Sequence, residues 1–284
     1  MNRTVLKGCG IGCGVVALLF LVLVGGGAWF AREMGREYKI VQETEDALVG
    51  AHGGLADWTP PAGLLPEPAR VAVFADVRTG TGEWRRQLEA DIARFAAERE
   101  QGGIAGFWHT VRAGSDLGLT YARFWTARNR VLLDQGMGPA EYAWLYGLVY
   151  YSWLGHDPGA GANNLKIEPG RGNAVQVEFE AGRRDPVQDQ RERMHDLLAP
   201  VVSLAEPGSA GGLGADELAA EAERLDLDPT RVPWQDGLPE ALAAVFAPHR
   251  EVLAAAWSEQ ANPLELMFDL QRWADEQERA QQDR

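Results

Sequence analysis

The chain has 284 residues with 41 acidic and 27 basic side chains, a formal charge of −14, long enough to bury one large core or two small ones. Residues 1–39 carry a net charge of +3, which leaves −17 on the remainder; so acidic a body repels phosphate backbones and excludes nucleic acid as the expected partner. Both cysteines, Cys9 and Cys13, lie in the opening segment, so the rest of the chain has no disulfide, thiolate metal site or cysteine nucleophile.

The opening segment reads "LKGCGIGCGVVALLFLVLVGGGAWFARE", without a charged residue from Gly8 to Phe30. At 1.5 Å per residue this run matches a hydrocarbon core of about 30 Å. Trp29 and Phe30 fall at the interfacial belt and Arg32 just beyond it. Lipoprotein processing requires the apolar run before the modified cysteine, and here the order is reversed. Cys9 and Cys13 are spaced C-x-x-x-C inside the apolar run, unlike a C-x-x-C redox motif. Gly26 and Ala28 sit where a signal peptidase would cut, but the uncharged run is longer than an ordinary h-region, which favours a retained anchor. Gly8 with Gly12, and Gly10 with Gly14, form small-xxx-small registers and are the candidate helix-association residues. Basic residues flank both ends, so the orientation rests on a short basic tail facing a long acidic body. The expected placement is the inner (cytoplasmic) membrane of a bacterium, N-terminus inside and large domain extracytoplasmic. Only three lysines occur (Lys7, Lys39, Lys166); this arginine bias, with abundant Ala and Gly, fits GC-rich bacterial coding.

Beyond the span, the helix is expected to continue over 32–39, and "ALVGAHGGLADWTPPAGLLPEP" reads as a Gly/Pro linker. Phe74, Val77, Thr81, Trp84, Leu88, Ile92 and Phe95 recur at three- and four-residue steps and predict one helix through Gly80 and Gly82. Ser115 stands as N-cap of a helix burying Tyr121, Phe124, Trp125 and Leu132. In "GMGPAEYAWLYGLVYYSWLG", Pro139 takes a first-turn position and Glu141 the positive helix end. The body of that helix is apolar all round, as in a central buried helix, and too short and tyrosine-rich for a second span. Alternation at Val175, Val177 and Phe179 after a Pro-Gly turn predicts a small β-hairpin. Helices follow near 186–204 and in the C-terminal part, where Asn262, Pro263 and Glu265 mark a helix start.

The fold expected is therefore mainly α: one N-terminal transmembrane helix, then a helical-bundle domain with one small β-hairpin. It divides into a basic tail (1–7), the membrane helix (8–30), a juxtamembrane segment and linker (31–67), an aromatic-rich helical domain (68–205), a second linker (206–216) and a C-terminal helical segment packing on the main domain (217–284).

No P-loop, dinucleotide fingerprint, nucleophile elbow, H-E-x-x-H or EF-hand loop occurs. The five histidines are scattered, and Asp226 with Asp228 reads as a helix end and turn. No catalytic residue, metal ligand or cofactor is assigned. The aromatics of 107–153 read first as the core of a helical hairpin; as a ligand groove they would offer Trp125, Asn129, Glu141, Tyr142 and Tyr146 as binding residues. Asn129 shares a helix face with Tyr121 and Trp125, a buried amide that must find partners. Arg123, Arg128 and Arg130 are expected to be solvated, with pairing to Glu141 as the alternative. The role expected is a non-catalytic binding or scaffold component of the envelope. Its partners would be the bilayer through 8–30 and either a second copy or another protein. The alternative is an enzyme acting on envelope glycans or lipids with Glu141 as a carboxylate beside the aromatics.

Overall fold

A computed structural model describes residues 32–54, 57–100, 103–161, 165–169, 175–179, 185–208 and 212–267. The basic tail, the membrane span 8–30 with its glycine registers, and the chain after 267 lie outside the described residues. Among the described residues the protein is mainly helical, and no helix is long and apolar enough to cross a membrane.

Helix α1 spans 32–52. It runs well past Lys39 and takes in the stretch "ALVGAH" expected to be linker. Met34, Tyr38, Val41 and Leu48 fall on one stripe and are all buried, so burial of that face outweighs the low helix propensity of the glycine within it. After a turn of 3-10 helix (Ala62–Leu64), α2 (Pro68–Gly80) opens with proline at its first position. Here the single helix predicted through residue 95 divides. Thr81, at φ −92° and ψ 0°, separates α2 from α3 (Gly82–Glu100), because glycine on either side removes the side chains that would favour continuing the turn.

Helix α4 (Gly103–Gln135) is a single 33-residue helix. Ser115 lies within it and is no N-cap: its hydroxyl donates to the Val111 carbonyl at 2.8 Å, the back-bond that lets serine remain in a helix interior. Helices α3 and α4 form an antiparallel hairpin. Thr110 Oγ1 reaches the Glu98 carbonyl at 3.2 Å, Arg94 meets Asp116 at 3.3 Å, and Thr120 donates to Asp91 at 2.5 Å. Helix α1 lies parallel to α4, with Glu37 against Arg123 at 3.4 Å near one end and His52 against Gly138 beyond the other.

Helix α5 (Pro139–Tyr146) has Pro139 and Glu141 in its first turn and passes into a π-helix, Gly147–Trp153. Every residue from Tyr142 to Ser152 is buried, so this is the central element the apolar sequence requires. Strand β1 (Leu165–Pro169) pairs antiparallel with β2 (Val175–Phe179), Ile167 opposite Val177. The expected helix near 186–204 is α6 (Pro186–Leu204), capped by Asp185, whose carboxylate accepts from the Val187 N–H at 3.0 Å.

The following loop is no free linker. Gly63 N–H donates to the Glu206 carbonyl (2.7 Å), and Leu213 N–H to the Gly63 carbonyl (3.0 Å). A Cβ on Gly63 would come within 2.7 Å of the Gly208 and Gly212 Cα atoms, so two backbones cross at a distance only glycine permits. Helix α7 (Ala215–Leu227) ends at Asp228, whose carboxylate accepts from Thr230 N–H and Oγ1 at 2.9 and 2.7 Å. This is the helix end and turn predicted for the Asp226–Asp228 pair. The segment after Pro239 does not form one long helix. It divides at Pro248 into α8 (Glu240–Phe246), a 3-10 turn (Ala247–His249) and α9 (Arg250–Ala255). A last short helix, α10 (Asn262–Glu265), is buried against α2–α5.

Two apolar clusters result. One gathers α2, α5, the π-helix and α6–α9; the other joins α1, the α3–α4 hairpin and residues 261–267. A polar centre occupies their boundary.

Candidate functional site

Phe74, Arg78, Thr81, Arg85, Leu88, Ile92 and Phe95 follow alternating steps of four and three along α2 and α3, and all are buried. Two arginines therefore occupy core positions of an otherwise apolar stripe, where their long stems pack and their guanidiniums need an anion. Glu265 supplies it. Arg78 Nη1 lies 2.7 Å from Oε2 and Arg85 Nε 2.6 Å from Oε1, and none of the three side chains is more than 4% exposed.

Three more donors of Arg78 are also used: Nε to the Tyr150 hydroxyl (2.8 Å), Nη1 to the Tyr142 hydroxyl (2.9 Å) and Nη2 to the Ala256 carbonyl (2.7 Å). Arg85 donates to the Arg78 carbonyl at 3.2 Å and the Thr81 hydroxyl at 2.9 Å. The Tyr142 hydroxyl donates in turn to Glu265 Oε2 at 3.3 Å. The Arg78 guanidinium lies over the faces of Tyr146 and Tyr150, 5.0 and 4.8 Å from the ring centres. Arg128, also fully buried, is held between the Trp125 ring (3.9 Å) and the Tyr142 ring (4.9 Å) and donates to the Glu265 carbonyl at 3.2 Å. The planar, delocalised guanidinium suits both stacking and the forked contact, which an ammonium does not.

Asn262 extends the network. Its Oδ1 accepts from the Tyr146 and Tyr151 hydroxyls at 3.1 and 2.8 Å, and its Nδ2 donates to the Pro158 and Ala160 carbonyls at 3.0 and 2.9 Å. The π-helix explains how Tyr146 and Tyr151 share one acceptor. Its wider i-to-i+5 winding brings the fifth residue back over the first, where an α-helix would rotate it away. Trp257 closes the outer side, stacked on His156 at 4.2 Å between ring centres and 2° between planes.

Burial alone would raise the Glu265 pKa, but Arg78 and Arg85 outweigh it and hold the carboxyl down at about 2. Burial likewise raises Tyr142 to about 12, although Arg78 opposes the shift. Burial lowers the pKa of His156, against the partial opposition of Glu259. Near neutral pH the centre is thus a fixed carboxylate among guanidiniums and un-ionised phenols. A general acid or base needs a pKa near the working pH, and Glu265, held down at about 2, is far from it.

The five predicted binding residues fall in three places. Trp125, Tyr142 and Tyr146 are fully buried against Arg78 or Arg128. Glu141 sits at the partly exposed rim, bound through both oxygens to Arg70, with Nε to Oε1 at 2.7 Å. Asn129 is 1% exposed, yet neither its amide oxygen nor its nitrogen has a hydrogen-bond partner among the described residues. The partners that a buried amide at this position is expected to find are therefore absent among the described residues. The arginines are corrected too: Arg130 is exposed as expected, Arg123 pairs with Glu33 and Glu37, and Arg128 is buried. Sequence reasoning missed Arg78, Arg85, Asn262 and Glu265. The available signal was the heptad spacing that puts both arginines on the apolar stripe.

Among the described residues no group of three or more His, Cys, Asp or Glu is placed to hold a metal ion. Comparison with family models, curated proteins and solved structures finds no match to this chain.

Proposed function

We propose that the protein is a single-pass, N-terminally anchored component of a bacterial cytoplasmic membrane. Its helical body is extracytoplasmic and serves as a binding or scaffold unit rather than a catalyst. Two features of the sequence support the anchoring: the uncharged run 8–30 with interfacial aromatics at its end, and a body of net charge −17 that follows a short basic tail.

The observation that carries the non-catalytic reading is the inward use of the polar centre. The Tyr142, Tyr146, Tyr150 and Tyr151 hydroxyls, both Glu265 oxygens and the Asn262 amide are bonded to the protein's own groups. Such a centre fastens residues 256–265 to the bundle and makes a stiff body, as a scaffold requires. Protease digestion of spheroplasts, followed by carbonate extraction of the membranes, tests the reading. The body should be degraded from outside while intact cells protect it, and undigested protein should stay with the membranes. A body digested only after lysis would reverse the orientation, and extraction into carbonate would remove the anchor.

A further inference from the structure

The side-chain bonds between residues 257–267 and the helices around them run almost one way. The guanidiniums of Arg78, Arg85 and Arg128 and the hydroxyls of Tyr121, Tyr142, Tyr146 and Tyr151 donate. The acceptors are Asn262 Oδ1, the Leu264 carbonyl, and the carboxylate and carbonyl of Glu265. The exceptions are the bonds from Asn262 Nδ2 to the Pro158 and Ala160 carbonyls. The segment therefore fits the bundle as an acceptor-bearing peptide fits a donor-lined groove.

Each side keeps its own bonds when the two part. The segment's backbone bonds are local: Asn262 N–H to the Ser258 carbonyl at 3.0 Å, Leu264 and Glu265 N–H to the Ala261 carbonyl at 2.9 and 3.1 Å. The bundle is tied without it. Arg70 joins α2 to α5 through Glu141, Thr120 joins α4 to α3 through Asp91, and Arg85 bonds the Thr81 hydroxyl and the Arg78 carbonyl across the α2–α3 break. Helix α9, which precedes the segment, ends at Ala255 and packs on α2. Guanidiniums and phenols uncovered by its departure are donors that water can satisfy. What holds the segment down is the Glu265 carboxylate and its apolar side chains, since Leu264 and Leu266 are no more than 2% exposed.

From this segregation we infer that residues 257–267 are a strap that opens as a unit while α1–α9 stay folded. The groove it uncovers binds a peptide with a carboxylate placed as in Glu265. The closed strap prevails at rest and gives the stiff body described above; the inference concerns the body alone and does not depend on the anchor.

The test uses the full chain in detergent with Cys9→Ser and Cys13→Ser, carrying one buried cysteine. Ala261→Cys reports on the strap and Ala143→Cys on α5, both no more than 1% exposed. Ser258→Cys, on the strap and 5% exposed, replaces Ala261→Cys if that variant does not fold. A thiol reagent then measures how often each site opens, in buffer and in rising urea below the unfolding transition. Labelling at 261 should be about tenfold or more faster than at 143 in buffer, with a shallower urea dependence, because a partial opening exposes less surface than unfolding. A synthetic peptide of residues 256–267, AWSEQANPLELM, then competes with the strap. At about 0.1 mM, against a tethered strap's effective concentration of about 1 mM, it should raise the rate at 261 about tenfold or more. It should not raise the rate at 143, and the peptide carrying Glu265→Gln should act at least about tenfold more weakly. Equal rates and urea slopes at 261 and 143 overturn the strap, since the segment then opens only with the whole fold. Faster labelling at 261 that neither peptide changes, or that both change alike, overturns the carboxylate-binding groove. Either result leaves the anchored reading, tested by carbonate extraction, untouched.

Discussion

Replacing Glu265 by glutamine tests the polar centre most directly. The change keeps the side-chain shape and one acceptor oxygen but removes the only carboxylate bonded to Arg78 and Arg85 among the described residues. Glutamine would also turn an N–H toward one of the two guanidiniums, adding a donor-to-donor clash. Taking one partner from a buried ion pair costs about 3–5 kcal/mol, because the remaining charge stays desolvated. Against a total stability of about 5–15 kcal/mol, that is a large fraction. Urea unfolding of the detergent-solubilised chain, followed by far-UV circular dichroism, should show a midpoint shift of this size at pH 7 with an unchanged slope. The carboxyl also titrates. Its folded pKa of about 2 lies below the ordinary 4.5, so its stabilisation is complete above the ordinary value and fades as pH falls from 4.5 toward 2. The 2.5-unit gap corresponds to about 3 kcal/mol. The parent protein should lose that much over this range, and Glu265→Gln should lose correspondingly less. If the two differ by under about 1 kcal/mol at pH 7, the desolvation argument for the centre fails.

Three further predictions concern individual contacts. Asn262→Ala leaves two buried hydroxyls and two carbonyls without partners and should cost about 2–4 kcal/mol in urea unfolding, with Asn262→Asp at least as costly through its lost donor. Asn129→Leu should instead stabilise by about 1–2 kcal/mol, because an unbonded buried amide gives way to an apolar group of similar shape; destabilisation would mean that the amide has a partner in the native protein. Gly161 and Gly155 have nearly equal positive φ, 72° and 74°, but a Cβ would lie 1.8 Å from the Glu259 carbonyl oxygen at Gly161 and in open space at Gly155. Alanine should therefore cost about 1 kcal/mol at 155 from backbone strain alone and clearly more at 161, and equal melting temperatures for the two variants would refute the close approach.

What was legible in the sequence was local. Pro139 and Glu141 mark the start of α5, and the unbroken apolar run after them requires a central element. The turn at Asp228 and the Asn262–Pro263 helix start follow from chemistry within four residues. Where the reading failed, distant packing outweighed local preference. The stripe from Met34 to Leu48 carries α1 through a glycine-containing stretch, Ser115 sits inside a helix because α4 continues along α3, and the loop after α6 is pinned by backbone 150 residues earlier.

The polar centre lies wholly on the tertiary side of this division. Glu265 reads as an ordinary first-turn acid, and its charge partners are 180 and 187 residues away. Helical spacing along α2 and α3 can place Arg78 and Arg85 on a buried face; it cannot identify the anion that faces them. Composition and periodicity determine which elements form and which faces turn inward, since both depend on neighbours within a few turns. Which buried charges meet depends on how the helices close on one another, because a desolvated ion is stabilised only by groups within a few ångströms in space.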